Sequence, residues 1–241
     1  MSEIKPYEDE EGKKKQVAKM FDNIAWKYDF LNRFLSLGID RRWRKRAIRL
    51  LAKDRPSEVI DVATGTGDVA IEIAKQLPDA KVTGVDIANK MLEIGRKKLL
   101  KRELDDRVAL LYGDSEALEA ADNTYDAATV AFGVRNFENL EKGLDEIYRV
   151  LKPGGKVVIL EFSKPRMFPL KQGFNLYFRY ILPFIGRITS KDPKAYKYLY
   201  ESVQVFPDYE RFEHVLQKCG FKNTNYKSLT AGICCIYEGE K

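Results

Sequence analysis

The sequence predicts an α/β protein built on a doubly wound, mostly parallel sheet of seven strands. Three observations carry this prediction. Short apolar runs alternate with helical apolar spacings between Glu58 and Phe162, as in parallel sheets that helices cover on both faces. The first run ends in the glycine turn 65–67, where a helical pattern begins. Two more strand-like runs, 225–229 and 233–237, lie near the end of the chain.

The spacing of apolar residues places each element. Val17, Met20, Phe21 and Ile24 follow the i, i+3, i+4, i+7 pattern of an amphipathic helix. The other predicted helices run through 43–50, 70–77, 91–100, 140–151 and 209–219, with Gly220 as the last C-cap. The predicted strands are 58–62, 81–85, 108–112, 127–132, 156–162, 225–229 and 233–237. The segment 153–155, Pro-Gly-Gly, is expected to end the helix that precedes it.

A chain of 241 residues is long enough for one sizeable core, so we expect a single domain over 1–241. Residues 1–13, which are rich in acids, are expected to form a loose tail before an N-terminal helical region at 14–53. Segment 165–205 breaks the alternation of strands and helices, because aromatic and aliphatic residues crowd between basic ones. It is predicted to be a helical insertion.

Charge and cysteine content narrow the function classes. The net charge is +6, but 42 basic residues are mixed with 36 acidic ones, so charge alone does not identify a partner. A protein that binds RNA or DNA stays an alternative, but the sequence lacks the Asp/Asn-Pro-Pro-aromatic signature of base-amine methyltransferases, so we expect no nucleic-acid partner. The basic cluster at 41–46 is interpreted as a solvated helix face. Cys219, Cys234 and Cys235 lack metal-ligand spacing, which predicts reduced core thiols and no metal site. Because no long apolar run is present, we expect a cytoplasmic protein.

The glycine turn after the first predicted strand is the expected nucleotide site, because ligands bind beyond the carboxyl ends of parallel strands. Gly65 and Gly67 let the backbone approach a ligand closely. With Ala70 they also match the dinucleotide pattern, so a nicotinamide oxidoreductase stays an alternative. Asp61 and Asp68 favour S-adenosylmethionine instead, since they would repel a pyrophosphate but suit a sulfonium and an ammonium group. Capping of the following helix is an equal explanation for Asp68.

Two further acids are placed at strand ends. Asp86 ends the second predicted strand, where a carboxylate accepts hydrogen bonds from ribose hydroxyls. Ile87 follows it directly and belongs to the same predicted site. Asp114 and Ser115 follow the third predicted strand, where the acid is placed to meet the adenine amine, although a plain turn explains this segment as well.

Three stretches resemble one family, the ubiquinone/menaquinone biosynthesis C-methyltransferases, a branch of the class I methyltransferases with a Rossmann-like fold. They are Tyr-Asp-Phe-Leu-Asn-Arg-Phe-Leu-Ser at 28–36 with Trp43 downstream, Phe-Gly-Val-Arg-Asn at 132–136, and 148–155 running into 160–165. The resemblance covers about residues 14–237. It implies S-adenosylmethionine as cofactor, with contacts at Thr66, Asp86, Asp114 and Ser115.

The same resemblance implies methylation of a ring carbon of a polyprenylated quinol. Demethylmenaquinol, which would give menaquinol, is the first candidate, and a ubiquinone-pathway benzoquinol or another small aromatic molecule stays open. Two positions depart from the family pattern. Asp40 stands where the family usually has histidine, and Ala131 where many members have serine.

The chemistry suggests roles for three residues. A phenol that titrates near 10 needs about 4 kcal/mol of help to be ionised at neutral pH. Arg135, a permanent cation after the fourth predicted strand, is expected to supply it, with Asn136 holding a ring oxygen. A structural ion pair for Arg135 is equally consistent with the sequence. Asp40 is the third expected catalytic residue. The candidates for the start of a proton relay are Asp40, Asp86 through a water, Tyr177 and Tyr180.

The insertion suggests a substrate surface. Its apolar residues exceed what a connector needs and would suit a prenyl tail. They are Phe168, Leu170, Phe174, Leu176, Tyr177, Phe178, Tyr180, Ile181, Leu182, Phe184 and Ile185. Lys171, Arg179, Arg187 and Lys191 between them suit peripheral contact with an anionic bilayer at the inner face of the membrane. A homodimer interface would use the same features. His214 is expected to be an ordinary surface or core residue.

Overall fold

The computed structural model describes residues 4–7, 10–36, 38–181, 192 and 194–241. Within them seven strands form one sheet in the order β3-β2-β1-β4-β5-β7-β6. The strands are β1 Glu58–Val62, β2 Lys81–Asp86, β3 Val108–Tyr112, β4 Tyr125–Ala131, β5 Leu151–Phe162, β6 Lys222–Leu229 and β7 Cys234–Glu240. All neighbouring pairs are parallel except those that involve β7, which runs antiparallel to β5 and β6. The predicted fold class is confirmed.

Helices cover both faces of this sheet. The helices within the described residues are α1 Lys13–Leu35, α2 Ile39–Leu51, α3 Asp68–Gln76, α4 Asn89–Leu100, α5 Leu140–Val150, α6 Leu170–Leu176, α7 Lys194–Val205 and α8 Glu210–Lys218. A π-helical turn, Tyr177–Ile181, continues α6. One apolar cluster joins α2, α3 and α4 to the sheet, and another joins α5 and α8 to the opposite face. This two-sided cover explains why the central strands are buried along most of their length.

The cysteines show the alternation of the last strand. Cys234 belongs to one apolar cluster and Cys235 to the other, because successive side chains of a strand point to opposite faces. Both are free and buried, whereas the free thiol of Cys219 is half-buried. Cys234 and Cys235 are therefore the core thiols that the sequence predicts. His214 lies exposed on α8.

One helix boundary differs from the sequence prediction. The chain leaves α5 at Val150, and Leu151 already has extended φ and ψ values of −72° and 141°. Leu151 pairs with Tyr125 of β4, so sheet pairing begins before Pro153 is reached. Residues that precede a proline are also disfavoured in helical conformation, and Lys152 occupies that position. The helix predicted for 140–151 therefore ends one residue early, and β5 begins there rather than at 156.

A third apolar cluster lies over the carboxyl ends of the strands. Val17 and Met20 of α1, Phe174 of α6, and Tyr196 and Tyr198 of α7 are buried together in it. This layer, formed by the N-terminal helix and the insertion, covers the edge of the sheet at which parallel strands bind ligands.

The described part of the N-terminal segment is packed against this layer. Pro6 is buried, the backbone N–H of Tyr7 donates to Gln16 at 2.8 Å, and the Tyr7 hydroxyl forms a hydrogen bond with Asp192. These residues of the expected loose tail are thus held between α1 and the insertion. Residues 182–191 and 193 of the insertion lie outside the described residues, and with them Leu182, Phe184, Ile185, Arg187 and Lys191. Across the described ranges, we find no helix that is both long and apolar enough to cross a bilayer.

Candidate active site

Two cavities meet at the carboxyl edge of the sheet. The smaller, which we call the cleft, lies beyond the ends of β1, β2 and β3 and under α1. The larger, which we call the apolar cavity, lies between α1, α2, α6 and α7 and has a volume of about 670 Å³. The two share four lining residues, which we call the junction: Phe21, Tyr28, Phe132 and Asn136. The cleft and the apolar cavity therefore adjoin each other at the junction.

Asp86 organises the cleft. One carboxylate oxygen accepts the N–H of Gly65 at 2.7 Å, and the other accepts the N–H of Ala88 at 2.8 Å. Gly65 adopts a φ of 56°, which favours glycine, so the turn after β1 is bent towards the end of β2. Burial raises the pKa of Asp86 to about 6, although these backbone hydrogen bonds oppose the shift. A carboxylate offers about four lone-pair positions, so Asp86, which lines the cleft, keeps acceptor capacity for a ligand.

Asp114 and Ser115 line the same cleft after β3, as does Ile87 after β2. Asp114 accepts a hydrogen bond from Lys14 Nζ at 2.6 Å. Lys14 also lies 3.2 Å from Glu116, a carboxylate that is 4% exposed and that accepts the N–H groups of two residues before α5. The first turns of α1 are thereby tied across the mouth of the cleft.

Three residues predicted for the cofactor site do not line the cleft. Asp61 is 1% exposed and accepts hydrogen bonds from Thr64 and Thr129 at 2.6 and 2.7 Å. Burial raises the pKa of Asp61 to about 6. The Thr66 hydroxyl donates to Asp29 at 2.6 Å, and Gly67 packs beside Leu110 rather than facing the cleft. These residues support the turn on the side that faces away from the cleft.

Asp68 is not a free negative charge. Its carboxylate lies 2.6 Å from Lys98, 3.1 Å from Arg44 and 3.9 Å from Arg33. Burial alone would raise the pKa of Asp68, but Lys98 and Arg44 outweigh it and hold the pKa below its usual value. The sequence argument that Asp68 attracts a cationic ligand is weakened, because the protein supplies these cations itself.

The apolar cavity carries a small number of polar groups on largely apolar walls. Trp43, Phe132 and Phe162 form an aromatic wall, with the Phe132 and Phe162 ring centroids 4.7 Å apart. Leu170 and Phe174 of the insertion contribute further apolar lining. Such a space, with few and precisely placed polar groups, is typical of a small-molecule site.

Three of these polar groups belong to residues predicted to be catalytic. Arg135, Asn136 and Asp40 all line the apolar cavity, and Asn136 stands at its junction with the cleft. Arg135 Nε, Asn136 Oδ1 and Asp40 Oδ2 are buried and make no hydrogen bond within the protein. Buried polar atoms normally find partners, so unpaired atoms on residues that line a cavity indicate where a ligand binds.

Arg135 is paired on its other side. Its Nη1 lies 2.7 Å from Glu161, which is fully buried at the end of β5, and 2.5 Å from the carbonyl oxygen of Phe132. Burial raises the pKa of Glu161 against the opposing effect of Arg135. Arg135 therefore belongs to an ion pair, which is one of the two explanations offered by the sequence. It also lines the cavity, and its expected catalytic role stays a prediction.

A family model described as the ubiE/COQ5 methyltransferase family matches residues 9–241. The chain belongs to the ubiE/COQ5 methyltransferase family. A demethylmenaquinone methyltransferase from Bacteroides fragilis is 47% identical over 238 residues, which cover 99% of this chain and 97% of the relative. A ubiquinone/menaquinone biosynthesis C-methyltransferase from Geotalea daltonii is 46% identical, covering 95% of this chain and 97% of the relative.

Solved structures show the same fold. A methyltransferase from Thermotoga maritima, described as a possible histamine N-methyltransferase, matches with a TM-score of 0.67 at 20% identity and covers 93% of this chain and 99% of its own. The ubiE/COQ5 chain is thus an S-adenosylmethionine-dependent C-methyltransferase with the class I fold. The expected nicotinamide alternative is set aside.

The cleft of this ubiE/COQ5 protein fits that cofactor. The lining that the structure describes contains carboxylates at Asp86, Asp114 and Glu116, and its cation Lys14 is paired with two of them. A pyrophosphate would face like charge here, whereas S-adenosylmethionine carries no phosphate. The cleft walls also approach closely, since a Cβ on Gly133 would lie 2.5 Å from Ala63. Asp86 would hold the ribose hydroxyls, and Asp114 and Ser115 would meet the adenine ring.

Sequence reasoning missed several residues of the site. Tyr28 and Phe132 belong to the stretches that carry the family resemblance, and both stand at the junction. Glu161 lies in the stretch 160–165, which also carries the family resemblance, but no local sequence pattern predicts its ion pair with Arg135. Of the proposed relay tyrosines, Tyr177 lines the apolar cavity and Tyr180 lies exposed. Burial raises the pKa of Tyr177, so it holds its proton at neutral pH.

Proposed function

We propose that this enzyme transfers a methyl group from S-adenosylmethionine to a ring carbon of demethylmenaquinol and so forms menaquinol. The names of the relatives from Bacteroides fragilis and Porphyromonas gingivalis support this substrate. The observation that carries the proposal is the pair of unpartnered atoms beside the junction, Arg135 Nε and Asn136 Oδ1. One is a donor and the other an acceptor, and together they match a ring hydroxyl, which both accepts and donates.

The positions of the two cavities set the geometry of transfer. When bound, the cofactor supplies an electrophilic methyl group on its sulfonium. Asn136 lines both cavities, so it would hold the hydroxyl beside the carbon that receives the methyl group. The ring carbon forms a bond to the methyl carbon as the bond from that carbon to sulfur breaks. The bonding pair stays on sulfur, which leaves S-adenosylhomocysteine, and the proton that the ring carbon loses passes to solvent water. Holding the ring beside the junction removes much of the entropic cost of bringing two reactants together.

Arg135 would act through a directed hydrogen bond more than through net charge. Its pairing with Glu161 at 2.7 Å cancels much of the field that a lone guanidinium would exert. The pair also fixes the guanidinium and leaves Nε of this cavity-lining residue without a partner within the protein. A donor that is already oriented needs no reorganisation as negative charge builds on the ring oxygen, and one such donor contributes about a hundredfold in rate.

The apolar wall would keep water from the reacting atoms. Trp43 is held in place by a hydrogen bond of 2.8 Å from its indole N–H to Thr230, and its ring packs on Phe132 and Phe162. Methyl transfer cancels the sulfonium charge, so an apolar surrounding favours the transition state over the charged reactant.

Transfer of labelled methyl groups tests this proposal. The purified protein would receive labelled S-adenosylmethionine with reduced demethylmenaquinone, a reduced ubiquinone-pathway benzoquinone, or a catechol. We expect label on the first ring at its unsubstituted carbon, as identified by mass, and a hundredfold lower kcat/KM for Arg135→Gln. Arg149→Gln is the matched control, since Arg149 is also ion-paired but lies outside both cavities. Label on the catechol alone would refute the quinol substrate.

We further propose that the insertion contacts a membrane surface. Met167, Phe168, Leu176 and Tyr180 are exposed, and in the sequence they lie on either side of Leu170, which lines the apolar cavity. Lys171 and Arg179 are exposed among them. A prenyl tail that leaves the cavity at Leu170 would pass directly to this surface, while basic side chains meet anionic headgroups.

Sedimentation with vesicles that contain anionic lipid tests the membrane contact. Phe168→Glu is expected to abolish binding, and Leu100→Glu, on the exposed end of α4, is expected to leave it unchanged. Binding that survives Phe168→Glu would contradict the proposal. A dimer in solution that Phe168→Glu dissociates would assign this surface to a second copy of the chain instead.

A further inference from the structure

Asp40 holds a buried oxygen that accepts no hydrogen bond from the described part of the protein. The residue lies in the first turn of α2 and is 3% exposed. Its Oδ1 accepts the Ser36 hydroxyl at 2.7 Å. Its Oδ2 forms an ion pair with Arg44, 3.1 Å from Nη1, but accepts no hydrogen bond, and Nη1 donates to Asp68. Asp40 lines the apolar cavity, which makes Oδ2 an acceptor without a donor beside the substrate space.

The charges around Asp40 already balance. Arg33, Arg44 and Lys98 face Asp29, Asp40 and Asp68 in one continuous network of ion pairs. A cationic ligand would upset this balance, since the three positive and three negative groups leave no net charge to neutralise. The missing partner of Asp40 Oδ2 is therefore a neutral donor, such as a hydroxyl group.

Asp40 is set apart from the atoms assigned to the reacting side of the ring. Asn136 stands at the junction with the cleft, whereas Asp40 lines only the apolar cavity. The two polar groups also belong to different parts of the cavity wall. Asp40 pairs with Arg44 of its own helix α2, whereas Arg135, which precedes Asn136 in the chain, pairs with Glu161 of β5.

We propose that Asp40 selects the reduced form of the substrate ring by accepting a hydrogen bond from the hydroxyl remote from the methylated carbon. This inference rests on the proposed function, because it requires a quinol in the apolar cavity. A quinol has two ring hydroxyls, and Arg135 with Asn136 is matched to one of them. Asp40 Oδ2 is matched to the other.

The selection follows from the chemistry of the two oxidation states. A quinol oxygen donates a proton to a carboxylate, whereas a quinone carbonyl only accepts, as the carboxylate does. An oxidised ring would therefore bury two acceptors face to face with no proton between them, which disfavours its binding. Only the reduced ring has the electron density to attack a sulfonium methyl group. By excluding the quinone, Asp40 would keep an inert competitor out of the cavity.

Binding of both oxidation states tests the inference without turnover. A short-tailed demethylated naphthoquinone would be titrated into the protein in its oxidised form, and in its reduced form without oxygen, with no methyl donor present. The wild-type protein is expected to bind the quinol about a hundredfold more tightly than the quinone. Because a tenfold ratio corresponds to 29.6 mV for two electrons, the midpoint potential of the bound couple should rise by about 60 mV.

Two variants of Asp40 and one control complete the test. Asp40→Asn supplies an amide donor as well as an acceptor, and Asp40→Ala removes the acceptor; each should bring the two affinities within about threefold. Asp29→Asn perturbs the same ion-pair network through Thr66 and Lys98 but lies outside both cavities, and should keep the wild-type ratio. A merely structural role for Asp40 would lower both affinities together and leave the potential unchanged.

The outcomes separate this inference from the proposed function. If the wild-type protein methylates the quinol but binds both oxidation states equally, or if Asp40→Asn keeps the hundredfold preference, the role of Asp40 is refuted and the function stands. If the protein neither binds nor methylates the quinol, the proposed function fails and the inference fails with it.

Discussion

Protonation of Asp86 should control the affinity for the methyl donor. Burial raises the pKa of this carboxyl to about 6, and its oxygens receive the N–H groups of Gly65 and Ala88. Only the carboxylate form can accept these bonds and those of ribose hydroxyls together. Below pH 6 the dissociation constant of S-adenosylhomocysteine should therefore rise about tenfold for each pH unit, so that binding at pH 5 is about tenfold weaker than at pH 7.

A loss of cofactor binding at low pH can be distinguished from unfolding caused by protonation of Asp86. Because the pKa of Asp86 in the folded protein, about 6, lies above its ordinary value, its protonation favours the folded state. Its contribution to stability is fully present below pH 3.8 and is lost as the pH rises through about 6. Protonation of Asp86 as the pH falls therefore stabilises the folded protein over the same pH range in which it weakens cofactor binding.

Calorimetric titration of S-adenosylhomocysteine between pH 5 and 8 measures the effect. In Asp86→Asn, the amide NH₂ would lie opposite one of the two backbone N–H groups that Asp86 accepts, so this charge-assisted hydrogen bond is lost. The other hydrogen bond, to the neutral amide oxygen, becomes weaker. The cost is about 2 to 4 kcal/mol, or roughly thirtyfold to a thousandfold in affinity, and the dependence on pH should disappear.

Asp61→Asn is the matched control, because burial also raises the pKa of Asp61 to about 6 but its side chain does not line the cleft. This variant should keep the decline in affinity towards low pH. A wild-type affinity that is constant from pH 5 to 8, or a decline that persists in Asp86→Asn, would refute the role given to Asp86.

Three other substitutions probe the surroundings of the site. Glu161→Gln should lower kcat about tenfold and leave the affinity for S-adenosylhomocysteine unchanged, since Glu161 orients Arg135 outside the cleft; weaker cofactor binding would contradict this division. Lys98→Met should lower the free energy of unfolding by about 2 kcal/mol in urea titrations, because Asp29 and Asp68 lose a close cation, whereas exposed Lys197→Met should have no effect. Gly95→Ala should cost about 1 to 3 kcal/mol by the same measurement, because its Cβ would lie 3.1 Å from the Thr66 backbone; unchanged stability would show that α4 can shift.

The fold was accessible from the sequence because it depends on local patterns. The apolar run before the glycine turn and the period of Leu140, Leu144 and Ile147 each specify an element without knowledge of its neighbours. The end of α5 was misplaced by one residue because pairing of Leu151 with Tyr125, a contact across the sheet, decides it.

The site was accessible only in part for the same reason. Asp86, Asp114 and Ser115 follow strand ends, so the geometry of a parallel sheet brings them together. The orientation of Thr66 depends on Asp29 and Lys98, 37 and 32 residues away, and no local pattern announces such a contact. The partner of Lys14 lies 100 residues along the chain. Long-range ion pairs of this kind decide which side chains line the site and which pack outside it against those lining residues.

A crystal structure of the protein with S-adenosylhomocysteine and a short-tailed quinol tests the central claim, that methyl transfer occurs where the two cavities meet. The account predicts the ribose on Asp86, the sulfur at the junction formed with Tyr28, Phe132 and Asn136, and the ring in the apolar cavity with one hydroxyl on Arg135 and Asn136. A cofactor outside the cleft, or a ring held away from the junction by another surface, would contradict it.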